Sequence, residues 1–233
     1  MELKVKEVAL LFSVPERVVY RWVHDDDLPA REVNGQYYFG RIELMEWATV
    51  RKIRFSPALL GELGPPRDGE TLTEALRAGG LMRVTAAGSI AEVFQEVSER
   101  LVLPATCDRD LLLQLLLTRE RSGSTAVGDG VAIPHARYPV VLAVERPLLW
   151  VCYLDTPVDF HAPDGRPVDT LFLLITTNIR VHLAMLSRIA CVLRDDDVMK
   201  VLRRRASDQD LLRELGRVET AIDHTLNHPQ ARV

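Results

Sequence analysis

The sequence predicts an α/β domain preceded by a small helical module that carries a β-hairpin. From residue 72 onward, short apolar strand-like segments alternate with amphipathic helix-like segments, a pattern typical of α/β domains. The first 50 residues instead show helical periodicity followed by an Asn34-Gly35 pair between two extended runs, which favours a hairpin. Residues 51–70 are rich in Gly and Pro with little periodicity, so they predict a linker between the two units.

The composition is that of an ordinary globular protein. The 233 residues are 47% hydrophobic and carry a formal net charge of −4, which gives no whole-chain signal for nucleic acid or an anionic membrane. Cys107, Cys152 and Cys191 lie far apart without metal-ligand spacing. The start of the chain lacks the pattern of a signal peptide, and the apolar runs are too short to span a bilayer. We therefore expect a cytoplasmic protein with no membrane insertion, metal or cofactor.

The elements of the N-terminal module follow one another closely. Apolar residues recur at helical spacing between Val5 and Phe12. A second helix is predicted over 15–24, because proline suits the first turn of a helix. The hairpin covers 31–39, of which 33–39 would form a wing, and a third helix begins over 41–48.

The larger unit is predicted to contain both element types in alternation. Helices are predicted over 90–101, 108–120, 180–193, 197–204 and 208–215. Strands are predicted over 131–134, 148–154 and 170–176. Gly216 is a candidate helix stop, residues 220–233 form a tail that frays, and the linker could hold a short helix over 57–63.

Residues 123–137 combine three glycines, a Ser/Thr pair and a histidine. Glycines let the backbone approach a ligand closely, and the hydroxyls of Ser124 and Thr125 can donate hydrogen bonds to anionic oxygens. His135, which follows a proline and precedes Arg137 by two positions, is a candidate nucleophile for a phosphoryl group. By itself, a histidine in such a place is more often structural.

Further motifs surround this stretch in a characteristic order. They are Arg119-Glu120-Arg121-Ser122-Gly123-Ser124-Thr125, Gly128-Asp129-Gly130-Val131-Ala132-Ile133-Pro134-His135, Pro167-Val168-Asp169 and His182-Leu183. With these motifs, residues 72–218 resemble the IIA component of the bacterial sugar phosphotransferase system, of the fructose/mannitol and nitrogen-regulatory type. The resemblance implies a mixed β-sheet flanked by helices.

The resemblance also implies a role for each site residue. His135 would accept a phosphoryl group from the histidine phosphocarrier protein, with Arg119 and His182 beside it as the other catalytic residues. Such transfer needs in-line positioning and positive charge around the phosphoryl oxygens, and an arginine supplies a bidentate donor. We expect Ser124, Thr125 and the backbone at Gly123 to bind phosphate.

Other charged residues near the site allow more than one interpretation. His182 would lie in the first turn of a helix capped by Asn178 and would orient His135 or contact the phosphoryl group; by spacing alone it is a surface histidine. Arg121 and Arg137 are either solvated surface residues or contacts for a partner. Asp129 is most simply a turn residue.

The first part of the chain, residues 2–48, resembles the winged helix-turn-helix of the MerR and excisionase type. A helix-turn-helix places its second helix in the major groove, which makes Arg17, Tyr20 and Arg21 the candidate DNA-binding residues and the hairpin the wing. However, residues 1–54 contain nine Lys/Arg and nine Asp/Glu, so the excess positive charge expected of a DNA-binding module is absent. A module for protein docking is the alternative.

The expected organisation is therefore a winged helix-turn-helix over 1–50, a linker over 51–70, a IIA domain over 71–219 and a tail over 220–233. The expected function is that of a phosphotransferase intermediate in which phosphate on His135 alters the contacts of the N-terminal module or of a partner. The alternatives are a transport IIA subunit that donates phosphate to a IIB protein, and a transcription regulator with a IIA-derived scaffold. The oligomeric state is left open.

Overall fold

The computed structural model of the protein describes residues 2–53, 64, 66–67, 69–85, 88–137 and 142–227. Most of the predicted linker, including its short helix over 57–63, lies outside these residues, as does the end of the tail. The described chain forms a small N-terminal unit and a larger α/β unit.

The N-terminal unit is a helical pair joined to a three-stranded antiparallel sheet. Its elements are β1 (Glu2–Lys4), α1 (Val5–Phe12), α2 (Glu16–Asp25), β2 (Arg31–Val33), β3 (Gln36–Gly40) and α3 (Arg41–Val50). The strand order is β1-β3-β2. Asn34 and Gly35 both have positive φ, at 51° and 75°, which is the backbone of a tight hairpin turn and confirms the predicted hairpin. The short strand β1 was not predicted.

The larger unit contains a five-stranded mixed sheet flanked by helices, which confirms the predicted fold class. Its strands are β4 (Gly80–Val84), β5 (Ala126–Gly128), β6 (Val131–Ala132), β7 (Leu148–Val158) and β8 (Val168–Ile175), in the order β4-β7-β8-β6-β5. Its helices are α4 (Leu72–Gly79), α5 (Ile90–Arg100), α6 (Arg109–Arg121), α7 (Ile179–Val192), α8 (Asp196–Arg203) and α9 (Asp208–Asn227). The pairs β4–β7 and β6–β8 are parallel, whereas β7–β8 and β5–β6 are antiparallel.

Helices cover both faces of the sheet. Successive residues of β7 alternate between two cores, so that Trp150 and Cys152 pack beneath α5 and α6 while Leu149 and Val151 pack beneath the remaining helices. A strand buried on both faces is apolar throughout, which is why residues 148–154 read as one hydrophobic run. Burial raises the pKa of the Cys152 thiol to about 12, in keeping with a core position.

The prediction that Gly216 ends a helix is wrong. Helix α9 passes through Gly216 and reaches Asn227, so much of the predicted tail is helical. A Cβ at Gly216 would meet the methyl group of Thr73 at 3.6 Å, so the glycine sits where α9 packs against α4. Beyond it, the buried carboxylate of Glu219 accepts the backbone N–H groups of Leu72 and Thr73 at 2.6 and 3.1 Å, and this contact holds the helix on the fold.

Candidate functional site

A tight reversal of the chain brings His135 to the sheet. Gly128, Asp129 and Gly130 all have positive φ, at 84°, 55° and 80°, and turn β5 back into β6. Two of the three are glycines because such a run is costly for other residues. The chain then continues to His135, whose backbone forms a parallel bridge with Leu174 of β8. The prediction that Asp129 is a turn residue is confirmed.

Both ring nitrogens of His135 face hydrogen-bond acceptors. Nδ1 lies 2.6 Å from the backbone oxygen of Ile133, and Nε2 lies 2.9 Å from Oε1 of Glu46. A carbonyl oxygen and a carboxylate can only accept, so this geometry requires a proton on each nitrogen. The ring is 3% exposed. In this conformation His135 is therefore an imidazolium without a free lone pair.

His182 lies beside His135, with the two ring centroids 5.1 Å apart. It occupies the first turn of α7, where the side chain of Asn178 accepts the N–H of Val181 at 3.0 Å and forms the predicted cap. Burial lowers the pKa of His182 to about 3, and the charge on His135 adds to the effect. His182 is thus a neutral, buried residue of the site and not a surface histidine.

The neutral ring of His182 has one nitrogen in use. Nδ1 lies 3.3 Å from the hydroxyl of Thr176. Nε2 is buried and, among the residues that the structure describes, has no hydrogen-bond partner. If the Thr176 hydroxyl donates to Nδ1, Nε2 carries the proton and is a buried donor.

Arg119 joins the two histidines from the last turn of α6. Its guanidinium donates to the backbone oxygen of Gly123 at 2.8 Å and to Oε1 of Glu46 at 3.2 Å, and it lies 3.1 Å from Oε2 of Glu46. The structure thus brings together the three residues predicted to be catalytic, which lie far apart in sequence.

Glu46 is a member of this cluster that the sequence analysis missed. It projects from α3 of the N-terminal unit, and its carboxylate contacts His135, Arg119 and Arg137, the last at 3.1 Å. Burial alone would raise the pKa of the Glu46 carboxyl. The hydrogen bond and charge of His135, together with the two guanidinium groups, outweigh burial and lower the pKa to about 2. Of the two interpretations of Arg137, the solvated surface residue does not hold, since its guanidinium contacts the Glu46 carboxylate.

Ser124 and Thr125 use their hydroxyls within the fold. The Thr125 hydroxyl donates to Glu120 at 2.5 Å, and the Ser124 hydroxyl donates to the backbone oxygen of Phe160 while accepting from Ala126 at 3.0 Å. In this conformation neither hydroxyl donates toward His135. Phosphate binding by Ser124, Thr125 and the backbone at Gly123 stays a prediction.

A cavity of about 490 Å³ opens beside the cluster, between the two units of the protein. Its lining includes Glu46, Arg119, Gly123, Ser124 and Arg137. Two of these side chains are guanidinium groups, which is the chemistry that binds anionic oxygens. The cavity can therefore take a phosphate-sized anion beside Glu46 and Arg119.

A metal ion is a second possibility that the cluster raises. The ligand atoms of Glu46, His135 and His182 lie within 4.8 Å of one another, and two histidines with one carboxylate form a common metal-binding set. Here, however, the carboxylate already faces two guanidinium groups and the Nε2 proton of His135. These positive charges oppose a divalent cation, so the donor set fits a metal poorly.

The candidate DNA-binding residues lie together on the outer side of the N-terminal unit. Arg17, Tyr20 and Arg21 are all exposed on α2, and the Tyr20 ring lies 6.1 Å from that of Tyr37 in the hairpin. The helix ends at Asp25, which is also exposed. This face is open to a partner while α3 is packed on the larger unit, although DNA binding by it stays a prediction.

Comparison with known proteins assigns both units. Residues 81–217 match the family described as phosphoenolpyruvate-dependent sugar phosphotransferase system, EIIA 2, and residues 2–52 match a helix-turn-helix domain family. Among the described residues, none of the helices combines the length and the apolar character required to cross a bilayer.

Individual relatives point the same way. The chain is 35% identical over 134 residues to a nitrogen regulatory protein of Bradyrhizobium diazoefficiens, covering 57% of this chain and 86% of that protein. It is 30% identical over 107 residues to the fructose-specific EIIABC component of Bacillus subtilis, covering 45% of this chain and 16% of that protein. The solved structure of nitrogen regulatory protein IIA-Ntr from Neisseria meningitidis has a TM-score of 0.50 and 29% identity, covering 58% of this chain and 92% of that one.

Proposed function

Because the chain belongs to the family of phosphotransferase system EIIA type 2 domains, we propose that it carries a phosphoryl group on Nε2 of His135. Domains of this family are phosphotransfer carriers. The observation that carries the proposal is the meeting of His135, His182 and Arg119 in one buried cluster beside a cavity lined by guanidinium groups.

The hydrogen bonds of His135 select the reacting nitrogen. Nδ1 is held as a donor by the backbone oxygen of Ile133, so Nε2 is the nitrogen that can present a lone pair once Glu46 withdraws and the Nε2 proton passes to solvent. In the donor, a phosphohistidine of another protein, the bond between nitrogen and phosphorus breaks. Its electron pair stays on the donor imidazole. A new bond forms between phosphorus and Nε2 of His135.

The surrounding residues stabilise the transferred group. Arg119 and Arg137 supply positive charge at the phosphoryl oxygens, which is the main contribution a protein makes to phosphoryl transfer. Nε2 of His182 supplies a neutral donor when the Thr176 hydroxyl donates to Nδ1, and it has no other partner among the described residues. Ser124, Thr125 and the backbone at Gly123 complete the proposed phosphate site.

The proposed donor is the histidine phosphocarrier protein of the phosphotransferase system. The test is transfer of labelled phosphate from phosphoenolpyruvate through the two general phosphotransferase proteins to the full chain. We expect one acid-labile label on the wild type and none on His135→Ala. Absence of label on the wild type, or full labelling of His135→Ala, would overturn the proposal.

The proposed output is regulation through the N-terminal unit, supported by its helix-turn-helix match and by the similarity to nitrogen regulatory proteins. Transport is the second candidate, favoured by the similarity to the fructose-specific component. Loss of label to an added IIB protein, dependent on its sugar, would favour transport. Salt-dependent binding of the chain to a specific duplex would favour regulation.

A further inference from the structure

The carboxylate of Glu46 stands where a phosphoryl group on His135 would have to lie. Its Oε1 is at hydrogen-bonding distance from Nε2, the proposed acceptor nitrogen. A phosphorus bonded covalently to Nε2 lies closer to the ring than any hydrogen-bonded atom, and its oxygens extend outward into the volume of the carboxylate. The two groups cannot be present together.

The partners of Glu46 are those that a phosphoryl group would use. Arg119 contacts both oxygens of the carboxylate, at 3.2 and 3.1 Å, and Arg137 contacts one of them. Each group is an anion held by guanidinium donors, so the carboxylate occupies the phosphoryl position with matching charge. A second anion beside it would face strong repulsion in a buried site.

The position of Glu46 also closes the site to a donor protein. Glu46 is 6% exposed and His135 is 3% exposed, because α3 packs on α7, the helix that carries His182, and on β5. A phosphohistidine on another protein must reach Nε2 in line, and this requires α3 to move away. The ring is moreover doubly protonated in the docked arrangement.

Two further polar contacts between the units lie outside the cluster around Glu46. Lys52 and Asp129 form an ion pair at 2.5 Å whose side chains are 46% and 38% exposed, and Arg194 donates to the backbone oxygen of Ile53 at 2.7 Å. Exposed pairs of this kind contribute little. Among the described residues, Glu46 is the one buried charge that the N-terminal unit brings to the interface. The loss of its partners should therefore weaken docking, which the apolar contact of Leu183 with the N-terminal core otherwise supports.

From these contacts we propose that Glu46 makes docking of the N-terminal unit and phosphorylation of His135 mutually exclusive, so that phosphoryl transfer releases the helix-turn-helix unit from the IIA domain. The unphosphorylated chain is closed, with its imidazolium paired to Glu46. The phosphorylated chain is open, with α3 displaced. This coupling rests on the proposed function of His135.

The first test compares initial rates of label incorporation from the phosphorylated histidine phosphocarrier protein into the full chain. Glu46→Gln keeps the side-chain shape but removes the charge, and it should be labelled at least tenfold faster than wild type, equivalent to about 1.4 kcal/mol of docking free energy. Glu32→Gln, the same change at an exposed position of β2 in the N-terminal unit, is the matched control and should behave as wild type. Equal rates for wild type and Glu46→Gln would overturn the inference.

The second test measures the size of the full chain in solution. Small-angle scattering of the full chain should show a larger radius of gyration after phosphorylation, and Glu46→Gln should show that larger radius without phosphate. An unchanged radius in the phosphorylated wild type would overturn the inference while leaving the carrier function intact. Failure of every variant to take label, including Glu46→Gln, would instead overturn the proposed function and the coupling with it.

Discussion

Glu46 and His135 lie 89 positions apart in the chain, yet Nε2 of His135 donates a hydrogen bond to the Glu46 carboxylate at 2.9 Å. The contact joins the helix-turn-helix unit to the proposed acceptor atom of the IIA domain. A charge buried at such a contact is costly unless it is paired on every side, and here an imidazolium and two guanidinium groups pair it. The same guanidinium groups and the same ring are those proposed to bind a phosphoryl group.

Arg119 should contribute to phosphoryl transfer through the bidentate geometry of its guanidinium as well as through its charge. In the Glu46→Gln background, which removes the effect of docking, Arg119→Lys should lower the initial labelling rate of His135 by about 100-fold, since lysine cannot reproduce a buried bidentate contact. Arg121→Lys, an exposed change two positions along the same helix, is the control and should leave the rate unaltered. A fall of less than about threefold for Arg119→Lys would contradict its assignment to the site.

His182 should make the stability of the protein depend on pH. Its pKa is about 3 in the folded state against 6.5 for the ordinary side chain, so the unfolded chain binds more protons between these values. The contribution of neutral His182 to the free energy of unfolding is complete above pH 6.5. It falls by about 1.4 kcal/mol per pH unit as the pH drops toward 3. Between pH 7 and 5 the free energy of unfolding in urea should fall by about 2 kcal/mol from this residue.

The matching variant for this measurement is His182→Asn, which should remove that part of the slope whatever its effect on absolute stability. His161→Asn, at an exposed loop position, should keep the wild-type slope. Parallel pH profiles for wild type and His182→Asn would show that His182 is not held neutral by burial.

Glu219 should be important for the stability of the larger unit. Its buried carboxylate accepts the first backbone N–H groups of α4, so Glu219→Ala leaves two buried donors without an acceptor and removes one of the two carboxylates that face Arg188. We expect a loss of about 3 kcal/mol in the free energy of unfolding. Arg213→Ala, on the exposed side of α9, should change it by less than about 0.5 kcal/mol. Comparable losses in the two variants would exclude this role for Glu219.

The exposed face of α2 gives a prediction for DNA. If the N-terminal unit reads DNA, Arg17→Ala and Arg21→Ala should each weaken binding to a selected duplex and reduce the salt dependence by about one unit of slope. The readout is a binding isotherm of the full chain at several salt concentrations. Lack of binding to a random duplex pool at low salt would favour the alternative of a protein-docking module.

Local patterns predicted much of the fold, and the exceptions have physical causes. Continuous apolar runs predicted the strands β7 and β8, because both strands are buried on two faces. The pair α4 and β4 was not assigned, since residues 72–84 run from helix into strand without a turn residue other than Gly79 and Gly80. Gly216 predicts a helix stop because the sequence does not show that Thr73 packs against it.

The candidate site likewise contains residues that the sequence could predict and one that it could not. His135, His182 and Arg119 could be predicted from the order of motifs, as all three belong to the IIA domain. Glu46 could not, because its partners lie 73 to 91 positions away in another unit. One signal was available: Glu46 interrupts the apolar run Leu44-Met45-Glu46-Trp47-Ala48, and a charge on a helix buried on most sides needs a partner elsewhere.

Leu183, the residue after His182, packs into the hydrophobic core of the N-terminal unit with Met45, Trp22 and Trp47. In the released state this apolar contact is lost, so burial of Leu183 again favours the return of the helix-turn-helix unit to α7. Because both units belong to one chain, that return is intramolecular, and its rate does not depend on protein concentration. Once the phosphoryl group has left His135, each molecule would return to the closed state at the same rate in a cell with few copies as in a concentrated solution.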